Sequence, residues 1–560
     1  MNTKSKQEKT ENTQECFLAF IEENIRANWD IDALTDYNGA TMKYKDVARS
    51  IAELHILFEK TGIKKGDKIA LCGRNCSHWG VVFLATLTYG AISVPILHDF
   101  KADNIHNIVN HSDAVMLFVG DGVWENLDER TMPKLKGIIS FIDFSILVSN
   151  NSGLTKAHEN INKLIGSKYP KSFDSSCIFY HKDTPEEVAY ISYTSGTTSF
   201  SKGVMIPYRS LWSNIKFAQV NMPLEPGDKH VCMLPLAHAF GLLFSFLFEF
   251  TRGCHTYFLT RTPSPKIIFN AYAEIKPNLI ITVPLIVEKV VKNAILPKLN
   301  TKMMQMAMHV PFLNDYIMRS VRQKLIELFG GNLMELVIGG AAMNEEVENL
   351  LRRIKFPYTI GYGMTECGPL ICYASSASFR QGSCGRPVDR MDVKIDSEDP
   401  HKIVGEIMTR GENVMLGYYK NEGSTVEALT PDGWLHTGDL GVMDEEDNLT
   451  IKGRSKNMLL GPSGQNIYPE EIEDKLNTLP FVAESIVTQK AGKLVALVHP
   501  DYNEAVSQSL SADDINRIME ENRVALNGLV PKYSQISVMK IFPEEFEKTP
   551  KRSIKRYLYV

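Results

Sequence analysis

The sequence has no apolar run long enough to cross a bilayer, no paired-cysteine motif and no excess of basic residues. Its longest apolar stretches, residues 239–250 and 279–287, are shorter than the roughly 20 residues that a membrane-spanning helix needs. The formal net charge is −5, which argues against a broadly basic nucleic-acid binder. The first residues are polar and lack the apolar core of a signal peptide. We therefore expect a cytoplasmic protein with no nucleic-acid partner, and contact with a membrane surface stays open.

The nine cysteines are odd in number and scattered along the chain. Because none of them lies in a CxxC pair, neither a disulfide framework nor a zinc site fits their spacing. We expect reduced, buried thiols.

Length and patterning indicate an α/β protein of more than one domain. The chain has 560 residues, 44% of them apolar and 23% charged, which is typical of a soluble globular protein. Residues 68–73, 77–90 and 91–96 read as a buried strand, an apolar-faced helix ending at glycine and a second strand. This is the rhythm of βαβ units on a mostly parallel sheet. The rhythm returns around residues 188–195, 279–284 and 333–342.

The pattern changes after Gly453. A helix is predicted from Pro469, because proline in the first turn is followed by acidic residues and a periodic apolar face. Further predicted elements are a strand at 485–490, a strand at 493–500, a helix with a capping box at Ser511 and Asp514, and a strand near 535–542. We predict a large body of mixed or parallel sheets with helices over residues 1–452, a connector at 453–457 and a small α+β domain over 458–560.

The strongest chemical signal is the segment YTSGTTSFSKGV at residues 193–204. Its glycines let backbone amides approach an anion, its hydroxyls donate hydrogen bonds and Lys202 adds a positive charge. These properties suit a polyphosphate. The segment is not a Walker A loop, because Gly203 follows Lys202 rather than preceding it. A flexible polar hairpin is the alternative interpretation.

This segment resembles the phosphate loop of the adenylate-forming superfamily, which includes acyl-CoA synthetases, luciferases and peptide-synthetase adenylation domains. The usual form is YTSGTTGxPKG, and here Ser199 replaces the glycine and Ser201 the proline. The other superfamily motifs follow in the expected order: GGAA at 339–342, GYGMTE at 361–366, GWLHTGD at 433–439 and GRSK at 453–456. The match covers nearly the whole chain and is most like the bacterial long-chain fatty-acid–CoA ligases.

The resemblance implies a role for each matching residue. Tyr362 would stack on adenine, Asp439 would accept from the ribose hydroxyls and Arg454 would also contact the nucleotide. Glu366 would hold Mg²⁺, and Thr365 would contact the α-phosphate at the reacting centre. The remaining nucleotide-binding residues implied are Thr194, Ser195, Gly196, Thr197, Thr198, Lys202, Gly340 and Ala341.

Two further roles concern the acyl group and the small domain. The stretch LPLAHAFGLLFSFLF at 234–248 resembles the lining of the acyl site, with His238 near the reacting carboxylate. Lys456 matches the hinge on which the small domain of this superfamily rotates between two catalytic arrangements.

The last motif departs from the superfamily. A catalytic lysine normally lies near the carboxyl terminus and neutralises charge that develops during adenylation. Here the end reads KTPKRSIKRYLYV, which puts Ser553 at that position. Lys551 and Lys555 flank it by two residues each, so either could supply the charge, because alternate residues of an extended chain point to the same side. The alternatives are a solvated basic tail and an impaired first half-reaction.

The sequence therefore predicts an AMP-forming fatty acyl-CoA synthetase that uses ATP, Mg²⁺ and coenzyme A and prefers a medium-to-long-chain fatty acid. An acyl–acyl-carrier-protein ligase is a second candidate. A non-catalytic acyl- or nucleotide-binding relative is a third, supported by Ser553 alone.

Overall fold

The computed structural model describes residues 16–194, 202–261, 264–460, 465–490, 492–549 and 554–559. In these ranges the chain is a mixed α/β protein. All nine cysteines lie in the described part and are unpaired. No described helix is both long and apolar enough to cross a membrane.

The strands of the described residues are numbered in chain order. They are β1 (Asp32–Asp36), β2 (Thr41–Lys43), β3 (Lys68–Cys72), β4 (Ile92–Ile96), β5 (Ala114–Val119), β6 (Gly137–Ser140), β7 (Ile146–Ser149), β8 (Val188–Thr194), β9 (Lys202–Pro207), β10 (Lys229–Cys232), β11 (His255–Phe258), β12 (Leu279–Thr282), β13 (Glu335–Ile338), β14 (Tyr358–Ile360), β15 (Tyr362–Gly363), β16 (Leu370–Tyr373), β17 (Arg386–Pro387), β18 (Met391–Asp396), β19 (Gly405–Gly411), β20 (Gly417–Tyr418), β21 (Leu435–Met443), β22 (Leu449–Arg454), β23 (Leu459–Leu460), β24 (Asn466–Ile467), β25 (Val482–Lys490), β26 (Lys493–Pro500) and β27 (Val538–Ile541).

The α-helices are numbered in the same way. They are α1 (Phe17–Ala27), α2 (Tyr44–Thr61), α3 (Ser77–Tyr89), α4 (Ala102–His111), α5 (Asp121–Trp124), α6 (Ser152–Glu159), α7 (Ile161–Lys168), α8 (Tyr208–Asn221), α9 (Ala239–Leu242), α10 (Phe248–Thr251), α11 (Pro265–Ile275), α12 (Pro284–Val290), α13 (Leu296–Leu299), α14 (Lys302–Met308), α15 (Pro311–Leu328), α16 (Glu345–Arg353), α17 (Glu422–Ala428), α18 (Pro469–Leu476), α19 (Tyr502–Ser507) and α20 (Ala512–Leu529).

An eight-stranded sheet in the order β20-β9-β8-β4-β3-β5-β6-β7 forms the centre of the large body. Its middle strands are parallel, and β9, β20 and β7 add antiparallel edges. The unit β3–α3–β4 is the βαβ crossover that the sequence predicts, with Lys68 opposite Ile92. A three-stranded parallel sheet, β12-β13-β14, lies later in the chain.

Helix α3 is buried on more faces than the sequence suggested. An apolar face was expected, but nearly every residue from Ser77 to Thr88 is buried. The reason is that α3 contacts α2 as well as β3 and β4 of the eight-stranded sheet and β1 of a second sheet. At Gly80 an added Cβ would come within 2.9 Å of the Phe246 ring, so close packing requires glycine there.

The part of the chain after the connector has an apolar core of its own. Side chains of α18, β25, β26 and α20 meet in one buried cluster that includes Leu476, Val498 and Leu526. Strand β25 pairs antiparallel with β26, and β26 pairs parallel with β27. The predicted capping box is present, since Ser511 Oγ accepts from the Asp514 amide at 3.2 Å. Helix α19 was not predicted.

Strand β22 continues two residues beyond the expected end of the large body. Gly453 and Arg454 pair with Leu440 and Asp439 of β21. Residues 455–457 then form a 3₁₀ turn. The division of the chain at 453–457 stays a prediction.

The predicted division can be tested by measuring the unfolding of the two parts separately. All five tryptophans precede residue 453, so their fluorescence reports on the large body alone. Leu526 is fully buried, and Leu526→Ala should cost about 2–5 kcal/mol of small-domain stability. In urea titrations we expect an earlier transition by far-ultraviolet circular dichroism and an unchanged one by tryptophan fluorescence. Leu71→Ala in the large body is the matched control and should move the fluorescence transition. A single transition that moves with both substitutions would contradict the two-domain division.

Candidate active site

The phosphate-loop motif is held by a hairpin of β8 and β9. Strand β8 ends at Thr194 and β9 begins at Lys202, and these residues lie opposite each other in the antiparallel pairing. Thr194 and Lys202 therefore meet at the strand ends where the β8–β9 hairpin leaves the eight-stranded sheet. Four predicted phosphate-binding residues lie outside the described part of the chain: Ser195, Gly196, Thr197 and Thr198.

A tyrosine that the sequence analysis did not single out joins Lys202 to Glu366. The Lys202 ammonium lies 4.7 Å from the centroid of the Tyr418 ring, within the range of a cation–π contact. The Tyr418 hydroxyl donates to Glu366 Oε1 at 3.0 Å. Burial, together with the nearby Glu366 carboxylate, raises the pKa of Tyr418 above its usual range. Tyr418 therefore remains a neutral donor between a positive and a negative group.

Backbone hydrogen bonds fix the position of Tyr418. The Met415 amide donates to the Glu366 carbonyl at 2.8 Å, and the Tyr419 amide donates to the Gly203 carbonyl at 2.7 Å. Strand β20 thereby connects the end of the phosphate-loop hairpin with the turn that bears Glu366. Because main-chain atoms make these links, the relative position of Lys202 and Glu366 does not depend on long side chains alone.

A second group of side chains meets around the buried carboxylate of Asp439. The Tyr362 hydroxyl donates to Asp439 Oδ2 at 2.8 Å, and Arg454 Nε lies 3.1 Å from Oδ1. Asp439 is 6% exposed, whereas the Arg454 side chain is largely in solvent. The Asp439 amide also donates to Thr437 Oγ1 at 3.0 Å. Three predicted nucleotide-binding residues from separate motifs are thus in direct contact.

Burial raises the pKa of the Asp439 carboxyl above its usual range, while Arg454 and the Tyr362 hydroxyl oppose that rise by stabilising the ionised form. Tyr362 is buried as well, and its pKa is raised by burial and by the charge of Asp439. The carboxylate therefore depends on Arg454 for much of its compensating charge.

The small-residue motif lies where β13 leaves the three-stranded sheet. The Gly339 amide donates to the Thr282 carbonyl of β12 at 3.1 Å, and Gly340 has φ of 89°, which favours glycine. Gly340 and Ala341 are exposed at this strand end. The Gly361 amide donates to the Ile338 carbonyl at 2.9 Å, so the strand that leads to Tyr362 runs beside them.

An aromatic side chain closes the space over Gly339. A Cβ added at Gly339 would lie 2.9 Å from Cζ of Phe240, so the tip of this ring points at the glycine. Phe240 is half-buried and makes an edge contact with Phe244 at 6.1 Å between ring centroids. His238 caps the same helix, accepting from the Phe240 amide at 3.4 Å. The sequence analysis singled out His238 and missed Phe240, although both lie in the same apolar motif.

Thr365 begins the 3₁₀ turn Thr365–Cys367 and is buried. In the chain it lies between Tyr362, which contacts Asp439, and Glu366, which contacts Tyr418. At Gly363 an added Cβ would lie 2.1 Å from the Pro369 carbonyl oxygen, so this turn requires glycine for its close approach.

No group of three or more acidic, histidine or cysteine side chains suited to a metal occurs among the described residues. Glu366 offers a single carboxylate, one oxygen of which accepts from Tyr418. This set fits Mg²⁺ that arrives with a nucleotide, because Mg²⁺ commonly takes one or two carboxylates and fills its other positions with water and phosphate oxygens. The role of Glu366 stays a prediction.

The predicted hinge residue, Lys456, is exposed in the 3₁₀ turn after β22. The residues on either side of it contact different parts of the chain. Ser455 Oγ donates to the Gly438 carbonyl at 3.1 Å, and Asn457 donates to Glu470 of α18 at 2.6 Å. The turn therefore contacts both the strand that bears Asp439 and helix α18.

The carboxyl-terminal tail is less positive than its sequence implies, because its described basic residues are ion-paired. Lys548 contacts Glu484, Lys555 Nζ lies 3.1 Å from Glu547 Oε2, and Arg556 contacts the buried Glu473. Lys551 and Ser553 lie outside the described residues. Lys555 is thus paired within the tail in this arrangement, and the choice between Lys551 and Lys555 stays a prediction.

Sequence reasoning missed Tyr418 and Phe240 for related reasons. Tyr418 lies in the conspicuous segment RGENVMLGYYKN at residues 410–421, but nothing in its local pattern shows that it pairs with Glu366. Phe240 lies two residues after His238 in an apolar run, where an aromatic residue is ordinarily core. Only the three-dimensional contacts distinguish both side chains from their neighbours.

Comparisons with known proteins agree with the predicted superfamily. The model of the AMP-binding enzyme family matches residues 21–419. Long-chain-fatty-acid–CoA ligase FadD15 of Mycobacterium bovis is 27% identical over 547 aligned residues, covering 88% of this chain and 86% of the relative. The long-chain-fatty-acid–CoA ligase of Escherichia coli O157:H7 is 29% identical and covers 80% of this chain and 78% of the relative.

A solved structure shows the same fold. The o-succinylbenzoate CoA synthetase of Bacillus subtilis, in complex with an acyl-adenylate intermediate, aligns with a TM-score of 0.72 at 19% identity. The alignment covers 96% of this chain and 97% of that chain. The predicted α/β fold and the predicted superfamily are confirmed.

The contact between Arg454 and Asp439 predicts a pH dependence. If the Asp439 carboxylate accepts from the nucleotide, binding must weaken as the pH falls through its pKa. Arg454→Gln removes the charge that lowers this pKa, so the weakening should begin at a higher pH than in the wild type. We also expect about tenfold lower affinity for AMP at neutral pH, because a charge-assisted contact is lost.

Calorimetric titration with AMP across acidic and neutral pH measures both effects. Arg517→Gln is the matched control, because Arg517 is an exposed arginine paired with Asp514 on α20. A parallel loss at every pH, without movement of the acidic limb, would contradict the proposed coupling.

Proposed function

The chain belongs to the AMP-binding enzyme family, and from this membership we propose that it is a fatty acyl-CoA synthetase acting on medium-to-long-chain acids. As an AMP-forming acid–thiol ligase it uses ATP and coenzyme A. The proposal is supported by the relatives named long-chain-fatty-acid–CoA ligases. The cytoplasmic location stays a prediction.

One observation carries the proposal: residues from separate motifs meet in two polar groups joined by a single turn. Lys202, Tyr418 and Glu366 form the first group, and Tyr362, Asp439 and Arg454 form the second. The turn at residues 361–366 contributes to both. A nucleoside triphosphate has the same division, with a polyphosphate at one end and a nucleoside at the other.

The arrangement suggests how the first half-reaction proceeds. A fatty-acid carboxylate oxygen attacks the α-phosphorus of ATP, the bond from that phosphorus to the bridging oxygen breaks, and pyrophosphate leaves with the electron pair. Lys202 and the loop hydroxyls hold the phosphates, Thr365 contacts the α-phosphate and Asp439 holds the ribose. Catalysis of this kind consists of positioning and charge stabilisation rather than attack by a protein nucleophile. Bound Mg²⁺, held by Glu366, would neutralise phosphate charge.

The second half-reaction needs a change of arrangement. The coenzyme A thiol, losing its proton, attacks the acyl carbonyl of the mixed anhydride, and AMP leaves. We propose that the small domain turns at Lys456 between the two steps. Support comes from the exposed turn at residues 455–457, which lies between Asp439's strand and α18.

We propose that the acyl chain passes beside Phe240, whose ring lies against Gly339. The ring tip stands against a strand end beside exposed Gly340 and Ala341. His238, at the start of the same helix, would lie near the carboxylate end. An apolar ring packed over a glycine can determine which acyl chain lengths are accepted, since a larger or smaller side chain there changes the space available to the acyl chain.

A single assay tests the function. AMP release should be followed with a panel of carboxylates from acetate to oleate, with coenzyme A, with acyl-carrier protein and with neither acceptor. We expect AMP and acyl-CoA in equal amounts with octanoate or longer acids. Product formed only with acyl-carrier protein would select the carrier-protein ligase instead. Nucleotide binding without AMP release from any acid would support the non-catalytic relative.

The lysines near Ser553 give a prediction of their own. We propose that Lys551 or Lys555 replaces the expected catalytic lysine. Alanine at the responsible position should slow acyl-adenylate formation by about 100-fold or more, because a stabilising charge is lost from the transition state. Each alanine variant is measured separately by single-turnover adenylation. Lys548→Ala in the same tail is the control. Adenylation at the wild-type rate in both alanine variants would refute the proposal that Lys551 or Lys555 replaces the expected catalytic lysine.

The proposed acyl path predicts opposite effects for two substitutions. Phe240→Ala should raise the ratio of kcat/KM for oleate to that for octanoate by about tenfold, because it opens the space beside Gly339. Gly339→Ala adds a methyl group against the ring and should lower the same ratio. Phe179→Ala, a change at an exposed phenylalanine elsewhere, should leave the ratio unaltered. Equal changes for both acids in each variant would show that the chain does not pass this point.

A further inference from the structure

The segment between β12 and β13 displays large apolar side chains to solvent. Met303, Met306, Phe312 and Tyr316 are 77%, 67%, 72% and 71% exposed, and Val310 is also exposed. Solvent-facing apolar side chains that occur singly are ordinary, but a contiguous group marks an interaction surface. These five residues are called the α14–α15 patch below.

The spacing of the patch residues puts them on shared helix faces. Met303 and Met306 are three residues apart on α14, and Phe312 and Tyr316 are four apart on α15, so each pair is adjacent on its helix surface. The two helices contact each other, with Val310 in the short connection between them. Exposed apolar side chains thus follow one another along α14, the connection and α15, which together are called the α14–α15 hairpin.

The segment that bears the patch is rich in basic residues, and in the described part of the chain none of them contacts a carboxylate. Residues 289–324 contain seven basic residues and one acidic residue, Asp315, in a chain whose net charge is −5. None of the seven lies within ion-pair distance of a carboxylate in the part of the chain that the structure describes. The basic residues are Lys289, Lys292, Lys298, Lys302, Arg319, Arg322 and Lys324.

The basic residues of 289–324 differ from those of the carboxyl-terminal tail, where Lys555 and Arg556 contact glutamates. Lys292 donates to the Asn477 carbonyl at 3.3 Å, and the other six basic residues have no carboxylate partner among the described residues. Exposed apolar side chains among such lysines and arginines fit an anionic lipid surface, since apolar groups enter the acyl region while cations contact the headgroups. A second copy of the chain is a poorer occupant, because the same positive charges would face each other across a symmetric contact.

The patch is connected to the proposed acyl path through the start of the same segment. Thr282 accepts from the Gly339 amide, and Val283 Cγ1 lies 3.9 Å from the position of a Cβ on Gly340. Helix α12 begins at the next residue, Pro284, and Leu285 on it is exposed. The segment that bears the patch thus starts against the strand end where we propose that the acyl chain binds.

We propose that the α14–α15 hairpin is a docking surface for anionic lipid bilayers, by which the enzyme takes its fatty acid from the membrane. The membrane contact stands on the exposed patch and its charges, whereas the role in substrate supply rests on the proposed function. No described helix is long and apolar enough to span the bilayer, so the contact is with its surface.

Vesicle flotation with the full-length protein tests the docking. The probes are vesicles of phosphatidylcholine alone and vesicles of equimolar phosphatidylcholine and phosphatidylglycerol. We expect binding to the anionic vesicles that weakens with salt. An apolar variant, Met306→Gln with Phe312→Ser, and a charge variant, Lys298→Glu with Lys302→Glu, should each reduce partitioning by about tenfold.

Matched controls separate docking from general surface effects. Phe179→Ser changes a phenylalanine that is 77% exposed outside the patch, and Lys101→Glu changes an exposed lysine elsewhere. Both should bind vesicles as the wild type does. Equal binding by the patch variants, or binding indifferent to phosphatidylglycerol, would overturn the proposal. So would concentration-dependent dimers in light scattering that the patch substitutions abolish, because the patch would then be a contact between copies.

An activity measurement separates this proposal from the proposed function. Oleate presented in anionic vesicles should be activated several-fold more slowly by the patch variants, while dissolved octanoate should be activated at the wild-type rate. Equal loss with both acids would refute a role in membrane supply. Vesicle binding without AMP formation from any acid would overturn the proposed function and the supply role but leave the docking surface standing.

Discussion

The proposed site depends on the interactions that hold the buried carboxylate of Asp439. A carboxylate that is almost withdrawn from water needs compensating partners, and here Arg454 and the Tyr362 hydroxyl supply them. These three residues lie on β21, β22 and β15, so one interaction joins the antiparallel sheet to the turn at 361–366. Arg454 is also the last residue before the turn at residues 455–457. The proposed hinge at Lys456 therefore lies two residues along the chain from the ion pair of Arg454 with Asp439.

Much of the fold and part of the site could be predicted from the sequence, because local pattern determines them. The strand–helix–strand unit ending at β4, the helix from Pro469 and the cap at Ser511 were all expected from periodicity and capping residues. Asp439 and Tyr362 were expected from motif order, although their direct hydrogen bond was not. Tyr418 and Phe240 were missed because their significance lies in contacts between distant segments, which periodicity does not report.

The distribution of available positive charge also depends on contacts between segments that are distant in the chain. The basic run at residues 548–556 attracts attention in the sequence, yet its described members contact carboxylates of the small domain. The less conspicuous lysines and arginines of residues 289–324 have no such partners within the described chain. Pairing, rather than the number of basic residues, decides where a positive surface is available to a ligand or a membrane. The net charge of −5 does not distinguish the paired basic residues of the tail from the basic residues of 289–324.

We propose that this site forms an acyl-adenylate from ATP and a fatty acid. Exchange of labelled pyrophosphate into ATP measures that step alone, because exchange requires reversible adenylation and needs no thiol acceptor. We predict exchange that depends on a medium- or long-chain acid, proceeds without coenzyme A and is lost when Asp439 is replaced by alanine. Bound ATP with no acid-dependent exchange, for any acid tested, would contradict it.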